Sequence, residues 1–206
     1  MKVLLINGSM NEKGCTYTAL AEVASALEKN SIQTQIVHIG SKPIQDCIAC
    51  GFCQNTGYCV FKDDKVNECV DLLTQADGLI VGSPVYYAAP TGSICAFLDR
   101  LFFLKSSKYA YKPAACLVSC RRGGSTASFD RLNKYFTISE MPVVSSRYWN
   151  GVHGNTPEEV RQDLEGMQVM RTLGNNMAWL LKCLDLAKPT VAYPEREEQV
   201  RTNFIR

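Results

Sequence analysis

Histidine is nearly missing from this chain. Only His38 and His153 occur in 206 residues, which excludes a histidine-rich metal site. A surplus of one charge is missing too: 22 Lys and Arg stand against 20 Asp and Glu, with no basic tract. That balance leaves no electrostatic footprint for nucleic acid. No apolar run is long enough for a membrane span. The N-terminal apolar run is too short for a secretory signal and no cleavage pattern follows it, so the expected location is cytoplasmic. Internal repeats, low-complexity tracts and linkers are absent. A single α/β domain over 1–206, long enough to bury a sizeable core, is the expectation.

Two nucleotide signatures are absent as well. An ATP- or GTP-binding loop needs four residues between its glycines, then Lys and Ser or Thr. Here five residues separate Gly8 from Gly14, and Cys15 stands where that Lys belongs. A dinucleotide fingerprint needs three closely spaced glycines, and none stand here. What the N-terminus does hold is KVLLINGSMNEKGCTYTAL, residues 2–20. Val3 to Ile6 reads as a strand buried on both faces, Asn7 to Cys15 as a polar loop, and Thr16 to Leu20 as the opening of a helix. Unpaired N–H groups and the positive end of the helix dipole point at one spot there. Ser9, Thr16 and Thr18 add hydroxyls. A phosphate without a metal suits this stretch; an ordinary strand-to-helix turn is the alternative.

Strands and helices alternate along the rest. A helix through 19–29 precedes a second strand at 35–39. Asp63 and Asp64 cap a helix that turns Val66, Cys69, Val70 and Leu73 inward. A third strand at 78–81 leads through SPVYYAAPTGS into a helix over 93–103. A fourth strand at 114–119 leads through CRRGGS into a helix near 127–136, and 142–145 reads as a short fifth strand. A long helical region opens at Thr156, with Pro157 in its first turn and Glu159 completing a capping box. Val160, Leu164, Met167, Met170, Leu173, Met177, Leu181 and Leu184 form its stripe, the methionines as packing. Residues 188–206 read as an extended arm. The alternation predicts a doubly wound five-stranded parallel sheet, order 2-1-3-4-5, in a three-layer α/β/α sandwich. Ligands then sit where strands one and three diverge, at loops 7–15 and 83–92.

In the second loop, Pro84 fixes one torsion and removes a donor. Val85 to Tyr87 can offer main-chain groups to the edge of a flat heteroaromatic ring. The third loop, Ser119-Cys120-Arg121-Arg122-Gly123-Gly124, adds backbone donors and cations beside the same spot; Arg122 is read as a solvated surface arginine.

With these pieces together, the chain resembles the NAD(P)H-dependent FMN reductase family of flavodoxin-like proteins. GSMNEKGCT, SPVYYAAPTGSICAFLDR, MPVVSSRYWNGVHG and EGMQVMRTLGNNMAWL carry the resemblance. It implies FMN as cofactor and NAD(P)H as co-substrate. Ser9, Asn11, Cys15 and Thr16 then meet the phosphate. Pro84, Val85, Tyr86 and Tyr87 meet the ring, with Cys120, Arg121 and Gly123 beside it. Asn11 stands where many members carry Arg, and Cys15 where Ser or Asn is common. An exposed Cys15 at a helix N-terminus is expected to have a lowered pKa. The flavin does the chemistry, so no protein nucleophile or acid–base pair is required. The resemblance implies that hydride passes from NAD(P)H to FMN and on to a small-molecule or protein electron acceptor.

Ten cysteines are many for this length. In a reducing compartment they argue for a metal site or redox chemistry rather than disulfides. Cys47, Cys50, Cys53 and Cys59 fall within thirteen residues of a cysteine-rich loop, 44–62, and Gly51 and Gly57 ease its bends. Thiolates so spaced suit a 4Fe–4S cluster or zinc, with free thiols or a disulfide as the alternative. The spacing is similar to the compact motif of iron–sulfur flavoproteins, which implies single-electron transfer between FMN, a cluster and a ferredoxin-like partner. Ile48, Phe52, Tyr58 and Val60 are candidates for the apolar shell. Cys69, Cys95, Cys116, Cys120 and Cys183 read mostly as small core residues. For the loop Arg147 to Gly154, with Tyr148, Trp149 and His153, the resemblance implies a cover over a partner's flavin; packing on the long helix is the alternative. Self-association as a homodimer or homotetramer is expected.

Overall fold

The computed structural model describes residues 1–198, 200 and 202, with main chain only at 105–107. In chain order the elements are β1 (Lys2–Asn7), α1 (Cys15–Lys29), β2 (Gln33–His38), α2 (Phe52–Thr56), α3 (Val66–Gln75), β3 (Gly78–Tyr86) and β4 (Ala89–Pro90). There follow α4 (Gly92–Lys105), a 3-10 turn (Ser106–Tyr109), β5 (Ala114–Cys120), α5 (Ser125–Ile138), β6 (Gly151–His153), α6 (Pro157–Gln162) and α7 (Leu164–Ala187).

The sheet order is β2-β1-β3-β5-β6, with β4 folded back on β3. Every pairing on that path is parallel. With β4 set aside, this is the flavodoxin-like order expected from the alternation. Side chains of β1 alternate between two cores. Leu4 and Ile6 join α3, α4 and α5 through Val70, Phe97, Leu101 and Phe136. Val3 and Leu5 join α1 and α7 through Leu20, Leu27, Met170 and Met177. A strand apolar at every position is what burial on both faces requires.

Four local expectations change. The chain over 142–145 makes only an isolated bridge between Val143 and Ala114. Ala114 donates to Pro142 O and Val144 donates to Ala114 O, and the chain then leaves the sheet. The fifth parallel strand is β6, later by several residues, where Gly151 pairs with Val118. Second, the long helix is broken at Asp163. Its Oδ1 accepts from Gly166 N at 2.9 Å and its Oδ2 from His153 N at 2.7 Å. One carboxylate therefore starts α7 and ties it to β6. Thr156 caps α6 as expected, accepting from Glu159 N, but Glu159 reaches back to Asn155 N rather than to the cap itself. Third, Leu164 lies exposed beside this break, outside the stripe, while Met167, Met170 and Met177 are buried. Fourth, Cys183 is exposed, whereas Cys69, Cys116 and Cys120 are buried.

At the far end of the sheet, Lys112 donates to Leu73 O, Thr74 O and Ala76 O at 2.6–2.8 Å, satisfying the last carbonyls of α3. Residues 191–198 of the arm form no helix or strand, yet Tyr193 stacks on Tyr111 with ring centroids 5.0 Å apart. Residues 199, 201 and 203–206 of the expected arm lie outside the described residues.

Helices α1 and α7 approach closely at Gly174. A Cβ there would lie 2.7 Å from Ala26 Cβ and 2.8 Å from Val23 O. Gly174→Ala is therefore expected to destabilise the fold by about 1–3 kcal/mol through overpacking. Urea unfolding checks this, as a lowered midpoint with an unchanged slope.

Candidate functional site

The site grows from the reversal between β1 and β3. Gly8 N donates to Gly82 O at 2.8 Å, and Thr91 Oγ1 donates to Gly8 O at 3.1 Å. A Cβ on Gly8 would lie 2.8 Å from Ile94 and 2.9 Å from Gly82 O, so only glycine fits that approach. The first and second loops are thus held side by side by main chain.

The first loop is braced from within. Ser9 N donates to Asn7 Oδ1, Asn11 N to Ser9 Oγ, and Gly14 N to Asn11 O. The Asn11 side chain lies across Gly14. His38, at the end of β2, places Nε2 2.7 Å from Ser9 O. Helix α1 then starts from Gly14 with no side-chain cap, so its first N–H groups point at the rim. Thr16 is buried, its hydroxyl 2.8 Å from that of Ser119 at the end of β5. Lys13 sits at the loop tip, its ammonium 3.9 Å from the Tyr17 ring centroid.

The second loop is a hairpin rather than an open loop. Strand β3 continues to Tyr86 and pairs with β4, Tyr86 opposite Ala89. Tyr87 and Ala88 form the two-residue turn with φ of 49° and 58°. Both are left-handed and neither is Gly or Asn, the residues such a turn favours. Left-handed non-glycine residues cost on the order of 1 kcal/mol or more each. Tyr86 and Tyr87 face solvent and pack into neither core.

The third loop touches the hairpin tip. Gly124 has φ of +91°, and a Cβ there would lie 2.7 Å from Ala88 Cα and 3.0 Å from Val85 Cγ1. Helix α5 starts from Gly124, again without a side-chain cap. Cys120 is buried; its thiol lies 3.5 Å from His153 Nδ1 and donates to Arg122 O. Arg121, Arg122 and Gly123 are exposed. The three loops thus converge on one rim. The Tyr148 and Trp149 rings meet edge to face and, with His153 and Asp163, line a separate cavity of about 240 Å³ at the β6 edge.

Cys15 is not exposed, so the condition for a lowered pKa is not met. Partial burial pushes its thiol up, and Glu159 and Glu158 add to that, against a backbone hydrogen bond that lowers it. The helix N-terminus loses to desolvation and two carboxylates. Cys15 is therefore expected to stay a neutral thiol at pH 7. Iodoacetamide labelling read by mass spectrometry should rise only on the alkaline side of the ordinary thiol range; a plateau below pH 8 contradicts it.

The cysteine loop lies against α3 and α4. Cys47, Cys50, Cys53 and Cys59 line one recess of about 30 Å³ with Phe61 and Arg100. Burial pushes the Cys53 thiol up, a backbone hydrogen bond opposes this, and the other three cysteines add to the rise. Among the described residues no three His, Cys, Asp or Glu side chains gather closely enough for one metal ion. A single tetrahedral zinc needs its sulfurs about 4 Å apart, from bonds of about 2.3 Å. Four cysteines along one recess are a donor set whose chemistry suits iron–sulfur as well as zinc. Of the expected apolar shell, Ile48 and Val60 line the recess, and Ile48, Phe52, Tyr58 and Val60 are all exposed.

Sequence reasoning did not assign His38, Lys13 or Arg100 to a site, and it placed Ser119 in the third loop without its partner Thr16. The His38 and Ser119 contacts join distant chain segments, which spacing does not encode. Lys13 was readable as the cation nearest Asn11.

Among the described residues no helix is long and apolar enough to cross a membrane. An iron–sulfur flavoprotein of Methanocaldococcus jannaschii is 28% identical over 192 residues, covering 89% of this chain and 99% of that one. Another, from Methanosarcina thermophila, is 26% identical over 189 residues, covering 89% and 97%. Among solved structures, RosB with a bound intermediate superposes with a TM-score of 0.71 at 15% identity, covering 100% of this chain and 94% of that one. An archaeal flavodoxin gives 0.61 at 14% identity, covering 88% and 99%. The family model for NADPH-dependent FMN reductase matches residues 1–156. The chain belongs to the NADPH-dependent FMN reductase family and is a flavoprotein oxidoreductase.

Proposed function

We propose that the three-loop rim holds FMN and that the chain passes reducing equivalents from NAD(P)H to a second acceptor. The observation that carries this reading is the uncapped start of α1 at the β1–β3 reversal, braced by main chain; an anion is the ligand that such a helix start favours. Ser9, Asn11, Cys15 and Thr16 would hold the phosphate, with Lys13 supplying the cation that Asn11 does not. Pro84, Val85, Tyr86 and Tyr87 would hold the ring, joined by Cys120, Arg121 and Gly123. FMN held there would supply the hydride-accepting chemistry that links NAD(P)H to the second acceptor. The residues' tasks are to seat the ring, keep its edge against fixed donors and leave one face open. Exposed Tyr86 and Tyr87 fit this, since aromatic surface unused by the core is free for a planar ligand. The acceptor is a free flavin, a quinone or an external electron carrier.

The four-cysteine recess favours a second reading on the same chain. A 4Fe–4S cluster on Cys47, Cys50, Cys53 and Cys59 would exchange single electrons with the flavin and a ferredoxin-like partner. The donor set suits iron, and relatives over most of the chain bear the name iron–sulfur flavoprotein. We also propose one domain over 1–206 that self-associates, with the cysteine loop and the Arg147–Gly154 loop at the surface.

Anaerobic purification with FMN, iron and sulfide quantified per chain tests both readings. FMN near one per chain with no iron leaves the first standing alone; no FMN after reconstitution with excess FMN ends both. Gly124→Ala should weaken FMN binding about tenfold, because a Cβ strains the left-handed turn and pushes the hairpin tip away. Fluorescence titration of apoprotein with FMN reads it; an unchanged dissociation constant would separate the third loop from the site.

A further inference from the structure

The four cysteines are not held alike. Cys59 is gripped on three sides. Its N–H donates to Asn67 Oδ1 at 2.7 Å, and Asn67 Nδ2 donates back to Cys59 O at 3.0 Å and Phe61 O at 3.1 Å. Its sulfur receives Arg100 Nε at 3.1 Å. Among the described residues, Cys47, Cys50 and Cys53 have only local support. Cys47 N donates to its neighbour Asp46, and the turns at 51–57 close through Gln54 N to Gly51 O and Gly57 N to Cys53 O. Ala49, Gly51 and Gly57 are left-handed there.

Arg100 projects from α4 and is 2% exposed. Its fork meets Asp64 through both terminal nitrogens, Nη1 also donates to Gln45 O at 3.1 Å, and its plane lies over Phe61. A single carboxylate already balances the buried charge. The Nε–H is left for Cys59, and a neutral thiol is a weak acceptor. A sulfur carrying negative charge, as in a thiolate or a metal-bound cysteine, accepts a charge-assisted bond far better. The same arginine reaches both ends of the cysteine loop, through Gln45 before Cys47 and Cys59 at its close.

We propose that Arg100 is the positioning residue of the four-cysteine centre: with Asn67 it presets Cys59 as the anchor ligand, and its Nε–H bond to that sulfur raises the centre's reduction potential. This rests on the iron–sulfur reading above. A hydrogen bond to a ligand sulfur withdraws electron density and favours the reduced centre. Cys47, Cys50 and Cys53, on the exposed turns, then close onto a ligand already in place.

The test uses the full chain, reconstituted without oxygen with FMN, iron and sulfide. Arg100→Lys keeps the charge against Asp64 and removes the Nε–H. It should retain FMN, and its cluster midpoint potential should shift downward in an EPR-monitored redox titration. An unchanged potential with a full cluster overturns the proposal while leaving the iron–sulfur reading intact. A wild-type chain that takes up no iron and sulfide overturns both. Should Arg100→Lys fail to fold, Asn67→Ala decides. Iron release to a chelator, followed at the cluster absorbance, should be at least fivefold faster at unchanged FMN content; equal release rates overturn the proposal.

Discussion

The molecule depends on one main-chain contact, the hydrogen bond from Gly8 N to Gly82 O. It joins the ends of β1 and β3, where the chain departs to opposite faces of the sheet. Side chains are excluded from both sides of it, since a Cβ on Gly82 would lie 2.9 Å from Thr16 and Leu20. The first loop can then cross the strand ends at close range, and α1 starts directly over β3. Thr91 adds its hydroxyl to Gly8 O from the start of α4, so helices on both faces are keyed to the same peptide. The rim inherits its geometry from backbone, which is stiffer than any side-chain arrangement of that size.

The cysteine loop follows a different logic. Its fixed part comes from long-range polar contacts with α3 and α4, centred on the buried Arg100–Asp64 pair. Burying such a pair costs solvation, and the cost is offset only when the remaining donors find partners. Here the guanidinium reaches Asp64, Gln45 and Cys59, and an aromatic ring covers its plane. The recess stays on the α3–α4 side, while the other face is closed by α1 and α7 with Gly174 allowing them to touch.

Much of this was legible in the chain itself. Period and burial gave β1, α1, the strand order and the reversal point, because continuous apolar runs between turn signals leave few alternatives. Asp63 and Asp64 were read as the helix cap; the N-cap position is Lys65, which carries no side-chain cap, while Asp64 just before it accepts from Val66 N at 3.0 Å. The second bond of Asp64, to Arg100, was not legible, since nothing local links positions so far apart. The Tyr87–Ala88 turn was hidden because its residues are poor turn formers; tertiary contact with Gly124 holds them there. The fifth strand was misplaced because Pro142–Ser145 has the better apolar pattern, while Gly151–His153 is chosen by the Asp163 and Asn150 side chains that hold the chain around it. The break at Asp163 was hidden by a stripe that continues almost unbroken across it.

The Thr16–Ser119 pair beneath the rim has a further consequence. Two buried hydroxyls share one hydrogen bond, and either can be the donor. Rotation of two hydrogens reverses the bond without moving a carbon, nitrogen or oxygen. The junction of α1 and β5 can thus present either a lone pair or a proton on the α1 side while the backbone stays still.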